Sequence, residues 1–229
     1  LTYYTFVSCW TDSEEESIPL WKMYAGKEMH GIRISLDSDM FLKYHIPSGR
    51  FYGVDVYSKN EKSSILPIEK IVTKDYLVVP SFNDSEMFFK KVLYVDNPFS
   101  EMRDVVQIQD MGNGEGAMKM NLKKIGLYKR KCWAFQKEHR FTLTILPNIW
   151  GDIDINQMPK RIMQAVYDRI PPKLSFFDLE INPELLSKMK ITLSPICSEP
   201  EKVIAESIVQ KFAPKAIIRE SMLKGLINR

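Results

Sequence analysis

The chain has 229 residues, which is long enough to bury a sizeable hydrophobic core. Hydrophobic residues make up 45% and charged residues 27% of it, a balance that argues against disordered and fibrous proteins. The net charge of +3 is too small for composition alone to indicate a nucleic-acid binder.

The first half of the chain is predicted to consist mainly of strands. Residues 2–9 are rich in aromatic and β-branched side chains, which predicts a buried strand. Apolar residues then repeat at helical spacing over residues 18–25, with N-cap candidates at residues 11–13 and a natural C-cap at Gly26. Further strands are predicted at residues 31–36, 50–58 and 86–95.

The character of the sequence changes after Asp110. The glycines of residues 112–116 fit neither a Walker loop nor a dinucleotide-binding fingerprint, so they predict a flexible surface loop or a mobile lid. Residues 117–129 predict a basic helix. Residues 141–146 are β-branched and apolar, which predicts a central strand that ends at Pro147.

Short strands and helices alternate in the last third of the chain. Helices are predicted at residues 158–170, from Asn182 onward and at residues 198–212, and strands at residues 174–181, 190–193 and 216–219. This pattern predicts an α+β fold, with a mixed, mainly antiparallel sheet core, flanking helices and a smaller α/β C-terminal portion. We expect a single domain of residues 1–229, in which residues 1–150 form a strand-rich core with the pocket and residues 151–229 form a C-terminal subdomain.

The cysteines and histidines argue against disulfide and metal chemistry. Cys9, Cys132 and Cys197 are odd in number and far apart, which argues against a disulfide framework and favours a reducing cytoplasm. The three histidines have no ligand-like spacing, so no metal site is expected. No apolar run approaches the ~18 residues of a spanning helix, so no membrane partner is expected. Because the sequence begins with Leu1 rather than Met, we expect an N-terminal segment to be missing.

Two distant segments that are dense in aromatic and polar side chains together predict a pocket. The first comprises residues 6–12 and then residues 20–26, which include Trp21 and Tyr24 on the predicted helix. These two aromatics lie three residues apart on one helix face, a spacing that is also typical of core residues. Neither Ser8 nor Cys9 has a histidine and an acid nearby in the sequence, so no catalytic triad or cysteine nucleophile is predicted.

The second segment, residues 131–141, contains Trp133, Glu138 and Arg140. If a strand has begun by residue 138, Glu138 and Arg140 share one face of it and His139 lies on the other. An arginine on the same face can orient a carboxylate and keep it ionised, which suits a cationic or hydroxyl-bearing substrate. Large aromatics such as Trp133 would then form the walls of the site. An ordinary surface ion pair is the alternative.

Six basic side chains crowd residues 119–131. Such density is compatible with phosphate binding, and a solvated helix face is the alternative. The acidic clusters that a metal-dependent nuclease needs are missing from the sequence around this run.

Both dense segments resemble a bacterial family known as domain of unknown function 2971. The resemblance is carried by Ser8-Cys9-Trp10-Thr11, by residues 20–25, by the Gly-led residues 31–36, and by Trp133, Glu138 and Arg140. Gln136 stands where the family has its first acidic residue. The likeness extends to residues 191–221 and so covers nearly the whole chain.

The order of these elements also looks like the layout of ADP-ribosyltransferases. The resemblance implies that Glu138 is the catalytic carboxylate, that Ser8 borders the nicotinamide of NAD and that Tyr24 stacks on it. Other residues that it implies in binding this co-substrate are Trp21, Trp133 and Arg140. The arginine or histidine expected on the first strand of such enzymes would precede Leu1.

The leading hypothesis is a cytoplasmic, NAD-dependent ADP-ribosyltransferase-like protein of a bacterial defence or toxin system, such as phage defence, with Glu138 as the catalytic carboxylate. Its partners would be a nucleotide or dinucleotide ligand and a protein or nucleic-acid acceptor. The first alternative is a non-enzymatic module that senses a nucleotide or a partner protein with the same aromatic pocket. The second is nucleic-acid binding through residues 119–131.

Overall fold

The structure is a computed structural model that describes residues 2–46, 48–51, 54–56, 62–112, 115–149 and 157–227. Helices flank sheets that are mostly antiparallel, so the predicted α+β class is confirmed. No helix of the described residues is long and apolar enough to cross a membrane. Those residues also hold no group of three or more His, Cys, Asp or Glu side chains that could bind a metal ion.

In chain order, the strands of the described residues are β1 (Thr5–Thr11), β2 (Ile32–Ser35), β3 (Tyr44–Ile46), β4 (Gly49–Phe51), β5 (Val54–Val56), β6 (Lys62–Ser64), β7 (Tyr76–Val78), β8 (Phe89–Lys91), β9 (Leu93–Val95), β10 (Val106–Gly112), β11 (Glu115–Met120), β12 (Tyr128–Arg130), β13 (Glu138–Pro147), β14 (Lys190–Leu193) and β15 (Ile217–Arg219). The α-helices are α1 (Ile18–Tyr24), α2 (Ile68–Ile71), α3 (Ser85–Phe88), α4 (Pro98–Glu101), α5 (Met158–Tyr167), α6 (Pro183–Leu186) and α7 (Glu199–Phe212). Short 3₁₀ helices occupy Thr2–Tyr4, Pro80–Asn83 and Lys131–Gln136.

The chain forms two compact units. Unit 1 comprises Leu1–Asp12 and Lys43–Asp178, and unit 2 comprises Ser13–Leu42 and Leu179–Arg229. Each unit is built from two separate stretches of chain, so this division does not coincide with the predicted one at residue 150.

The main sheet of unit 1 is organised around β13. This strand pairs antiparallel with β1, β7 and β8. Its residues from Phe141 to Pro147 are all buried, as expected for a strand covered on both faces. Phe141 packs against Phe88 of α3, with ring centroids 5.2 Å apart. The predicted central strand is therefore confirmed, with an earlier start at Glu138.

Unit 2 has a three-stranded sheet in the order β15-β14-β2. Its core joins Met189 and Ile191 to Val209 of α7 and to Ala213 directly after it. A capping box fixes the start of α7, because Ser198 and Glu201 satisfy each other's backbone N–H groups. The predicted helix at residues 198–212 is confirmed.

Other predicted elements are confirmed with small shifts at their ends, although the N-cap of α1 is Ser17 and not a residue of the predicted range 11–13. Gly26 follows α1 with a φ of 77°, the left-handed conformation that ends many helices. The elements found close to their predicted places are α1, α5, α6, β2, β14 and β15.

The basic helix predicted at residues 117–129 is wrong. β11 runs to Met120 and pairs with β10, a turn follows, and β12 begins at Tyr128. Lysine and methionine favour helices locally, but the preceding segment offers a strand partner, and tertiary pairing overrides a weak local preference. Gly112, Glu115 and Gly116 belong to the same paired strands instead of a loop, and residues 113–114 lie outside the described residues.

Four strand predictions need correction. Residues 174–181 form no strand, and Ile181 makes an isolated bridge to Phe41. The segment at 86–95 divides into α3, β8 and β9, because Asp84 caps α3 with its side chain. The buried strand predicted at residues 2–9 runs from Thr5 to Thr11 and has no buried residue. It is exposed because it lies at an edge of the sheet, with β13 as its partner among the described residues. Residues 50–58 contain the paired β4 and β5, with residues 52–53 and 57–58 outside the described residues.

Candidate functional site

The 3₁₀ helix Lys131–Gln136 lies between β12 and β13 and is called here the aromatic segment. Its first five residues are exposed. Trp133 is 38% exposed and Phe135 is 43% exposed, and their ring centroids are 6.1 Å apart. Two large, partly exposed aromatic rings therefore lie together at the surface of unit 1.

A partly buried cluster of charged and polar side chains joins the two ends of the aromatic segment. Lys129 precedes the segment, and its Nζ donates to Glu138 Oε2 at 2.7 Å and to Gln136 Oε1. Gln136 and Glu138 are each 3% exposed. We call Lys129, Gln136, Glu138 and Arg140 the clasp, because they close the loop of chain that carries the exposed rings. The Lys129 ammonium also lies 5.4 Å from the centroid of the Trp133 ring, within the range of a cation–π contact.

Glu138 and Arg140 share one face of β13, as the alternation of the sequence predicts. Arg140 Nε donates to Glu138 Oε1 at 2.6 Å, and Arg140 Nη1 donates to the carbonyl of Gly126 at 2.7 Å. The backbone N–H of Glu138 donates to Tyr94 Oη at 2.8 Å. Both carboxylate oxygens of Glu138 thus accept a hydrogen bond from a cation.

The environment of Glu138 keeps its carboxylate ionised. Burial acts to raise its pKa, but hydrogen bonds from Arg140, Lys129 and Cys9 outweigh that effect and lower the pKa to about 2. A carboxylate with this pKa carries its charge throughout the physiological range, so the clasp is ionic at neutral pH.

Lys90 extends the cluster and was not identified from the sequence. It lies opposite Arg140 in the β8–β13 register and is 3% exposed. Its Nζ donates to the carbonyls of Leu122 and Ile125 at 2.8 and 2.7 Å. Burial, and then the charge of Arg140, lower the pKa of Lys90 to about 8. The sequence signal that could have identified Lys90 is its position among the mainly apolar residues of the strand predicted at 86–95.

The β1–β13 register sets which residues of β1 lie beside Glu138. Cys9 is opposite Arg140, whereas Ser8 is opposite Phe141. Cys9 therefore shares the face of Glu138, and Ser8 lies on the other face, where its Oγ accepts from Trp10 Nε1 at 2.9 Å. Burial, followed by Glu138, raises the pKa of the Cys9 thiol, which is unfavourable for a nucleophile.

Trp21 and Tyr24 belong to unit 2, whereas Ser8, Trp133, Glu138 and Arg140 belong to unit 1. Trp21 is 6% exposed, and its Nε1 donates to Glu16 at 3.1 Å. Tyr24 is 69% exposed. A pocket shared by the two dense segments stays a prediction.

Carboxylates neutralise much of the basic run at residues 119–131. The pairs are Lys123 with Glu86 at 2.5 Å, Lys124 with Asp104 at 3.8 Å, Lys129 with Glu138 at 2.7 Å and Lys131 with Asp96 at 2.7 Å. A run that is paired in this way offers less positive charge to a long polyanion than its sequence suggests.

No family model, curated protein or solved structure matches this chain. The resemblance to the domain of unknown function and to ADP-ribosyltransferases therefore stays a prediction that rests on the residues quoted for it.

Proposed function

We propose that unit 1 is a non-enzymatic module that binds a nucleotide on the aromatic segment. The observation that carries this proposal is the exposure of Trp133 and Phe135 on a segment whose ends are held by partly buried ionic hydrogen bonds. Stacking of a base on an aromatic ring contributes ~1–3 kcal/mol. A surface that is already ordered loses less conformational entropy when the ligand binds.

The charges around the segment favour a ligand that is both flat and anionic. Arg130 and Lys137 are exposed directly before and after the segment, whereas Lys131 within it already pairs with Asp96 at 2.7 Å. The Lys129 ammonium lies over the Trp133 ring. A nucleotide combines a flat base for the rings with phosphates for the cations. The ion pairs along residues 119–131 favour such a small ligand over a long nucleic acid.

Thermal unfolding with a panel of nucleotides tests the proposal. The panel contains mononucleotides, cyclic nucleotides and NAD, each added to the full chain. A ligand at 100 times its dissociation constant adds about 2.7 kcal/mol of stability. Trp133→Ala is expected to abolish the stabilisation. Tyr167→Ala removes a ring that is 82% exposed elsewhere in unit 1 and is expected to retain it. Absence of stabilisation by every nucleotide, or equal stabilisation of Trp133→Ala, would reject the proposal.

The ADP-ribosyl transfer implied by the resemblance is a second proposal, with Glu138 as its catalytic carboxylate. The low pKa of Glu138 supports it, since such a reaction needs an ionised carboxylate. The surroundings of Glu138 fit it less well, because the residue is 3% exposed and each of its oxygens already accepts from a cation, so little of the carboxylate is open to a ribose hydroxyl. Nucleotide binding without catalysis is therefore the function that the site supports better than ADP-ribosyl transfer.

Label transfer from NAD separates the two proposals. The full chain is incubated with labelled NAD and with protein or nucleic-acid acceptors, alongside Glu138→Gln and the exposed control Glu101→Gln. Transfer by the wild type and the control but not by Glu138→Gln supports the enzyme. NAD binding without any transfer supports the binding module.

We infer that the protein works in a reducing cytoplasm. Cys9, Cys132 and Cys197 are all free, and the first two are exposed. Exposed free thiols are expected to form intermolecular disulfides when reductant is removed. A monomeric, fully reduced protein after prolonged air oxidation would contradict this reasoning.

A further inference from the structure

Lys137, which lies between the aromatic segment and β13, has a left-handed backbone conformation, with a φ of 43° and a ψ of 50°. This conformation costs free energy for a residue with a side chain, because Cβ comes close to the following carbonyl oxygen. Gly26, Gly126 and Gly225 occupy other positions of positive φ in the described residues. Glycine adopts the conformation without that cost. A lysine at residue 137 therefore gives up stability that a glycine would provide.

The surrounding backbone holds Lys137 in this conformation. Its N–H donates to the carbonyl of Ala134 at 3.2 Å, and its carbonyl accepts from the N–H of Asp12 at 3.3 Å. Residues that are held in costly conformations are concentrated at binding and catalytic sites. The turn from the aromatic segment into β13 needs the backbone conformation, but it does not need the lysine side chain.

The Lys137 side chain is exposed two residues beyond Phe135. Among the described residues, its ammonium is in no ion pair. The carboxylates closest to it in the sequence or across β1 have other cations beside them: Glu138 pairs with Lys129 and Arg140, and Asp12 lies 3.9 Å from Lys91 and 3.8 Å from His139. Lys137 thus offers an unpaired positive charge at the end of the segment that carries the rings.

We propose that Lys137 binds the phosphate group of the nucleotide that stacks on the aromatic segment. This inference rests on the nucleotide binding proposed above. An ammonium without a carboxylate partner donates charge-assisted hydrogen bonds to phosphate oxygens, and no ion pair has to break first. The rings then recognise the base, and Lys137 distinguishes a nucleotide from its nucleoside.

Isothermal titration calorimetry of the full chain with adenosine monophosphate and with adenosine tests the assignment, with guanosine monophosphate and guanosine as a second pair. The wild type is expected to bind the nucleotide more tightly than the nucleoside. Lys137→Gly is expected to weaken nucleotide binding about 3- to 10-fold and nucleoside binding less than about 2-fold. Lys137→Arg keeps the positive charge and is expected to retain most of the affinity for the nucleotide.

The glycine variant is also expected to be more stable than the wild type. Removing Cβ at a left-handed position should raise the midpoint of thermal unfolding of Lys137→Gly, measured without ligand, by about 1–4 °C. A substitution that stabilises the fold and weakens binding separates a binding role from a structural one, because a less stable protein cannot then explain the lost affinity.

Arg169→Gly is the matched control. Arg169 is an exposed cation of unit 1 with a φ of 57°, and it follows α5 instead of the aromatic segment. Its replacement by glycine removes the same charge and the same kind of backbone strain. Arg169→Gly is expected to raise the midpoint of unfolding by a similar amount and to leave the affinities for nucleotide and nucleoside unchanged.

Three results would overturn the assignment of Lys137 while nucleotide binding on the rings stands. These are equal affinities of Lys137→Gly and the wild type for the nucleotide, equal losses for nucleotide and nucleoside in Lys137→Gly, and equal weakening by Lys137→Gly and Arg169→Gly. Failure of the wild type to bind either nucleotide would reject the assignment together with the binding proposal on which it rests.

Discussion

Unit 1 and unit 2 each use a glutamate to tie distant parts of the chain together, but the donors differ. Glu138 accepts hydrogen bonds from two cations, Lys129 and Arg140. Glu16 accepts from three neutral groups: the indole of Trp21 at 3.1 Å, the hydroxyl of Ser221 at 2.6 Å and the backbone N–H of Met222 at 2.8 Å. In unit 2 the tryptophan that donates to Glu16, Trp21, is buried. In unit 1 the tryptophan beside Lys129, Trp133, stays exposed.

This difference separates a structural aromatic from a candidate binding aromatic. Trp21 contributes its ring to the interior and its N–H to Glu16, so its place in the structure needs no ligand. The buried ions beside Trp133 order a surface segment instead. Buried ion pairs contribute little net stability compared with apolar residues of the same size, so their presence beside exposed rings favours a role in binding.

The largest expected effect comes from removing one charge of the clasp. Arg140→Met is expected to lower the free energy of unfolding by about 4 kcal/mol, because Glu138 remains buried with one of its two cationic partners lost. Urea unfolding followed by circular dichroism measures the change. Arg130→Met, at an exposed end of β12, is expected to change it by less than about 0.5 kcal/mol. Equal losses in both variants would mean that the clasp does not stabilise unit 1.

The next effect is a dependence of stability on pH. The pKa of Glu138 is lowered from 4.5 to about 2 in the folded chain. Its ionisation therefore contributes stability that is present above about pH 4.5 and is lost as pH falls through about 2. The free energy of unfolding of the wild type should fall by roughly 3 kcal/mol more than that of Glu138→Gln across this window. Parallel curves for the two proteins would contradict the ionic description of the clasp.

A smaller effect distinguishes the two tryptophans. Trp21→Phe removes a hydrogen bond to a carboxylate and part of a buried ring, so it is expected to cost about 2 kcal/mol of stability. Trp133→Phe alters an exposed ring and is expected to cost less than about 0.5 kcal/mol. Thermal unfolding of the two variants side by side checks the contrast. A greater loss of stability in Trp133→Phe than in Trp21→Phe would contradict the structural role assigned to Trp21.

Local signals in the sequence were enough for some elements and not for others. Ser198, Glu199 and Pro200 predict the start of α7, and strand alternation places Glu138 and Arg140 on one face. The partner of β11 lies upstream in the chain, so composition alone favoured a helix over residues 117–129.

The clasp itself depends on how the chain turns between β12 and β13, which no periodicity in the sequence predicts. Lys129 resembles its neighbours in the basic run, and only the fold selects it as the partner of Glu138. Cys9 and Ser8 are adjacent in sequence, and the β1–β13 register alone decides which of them lies beside that carboxylate.

The most direct test of nucleotide binding follows the indole N–H signals of the four tryptophans by NMR during a nucleotide titration. Trp133→Phe and Trp21→Phe assign the two signals of interest. The binding proposal predicts a saturable shift of the Trp133 signal while the Trp21 signal stays in place. A titration in which the Trp133 signal does not move, whichever nucleotide is added, would contradict it.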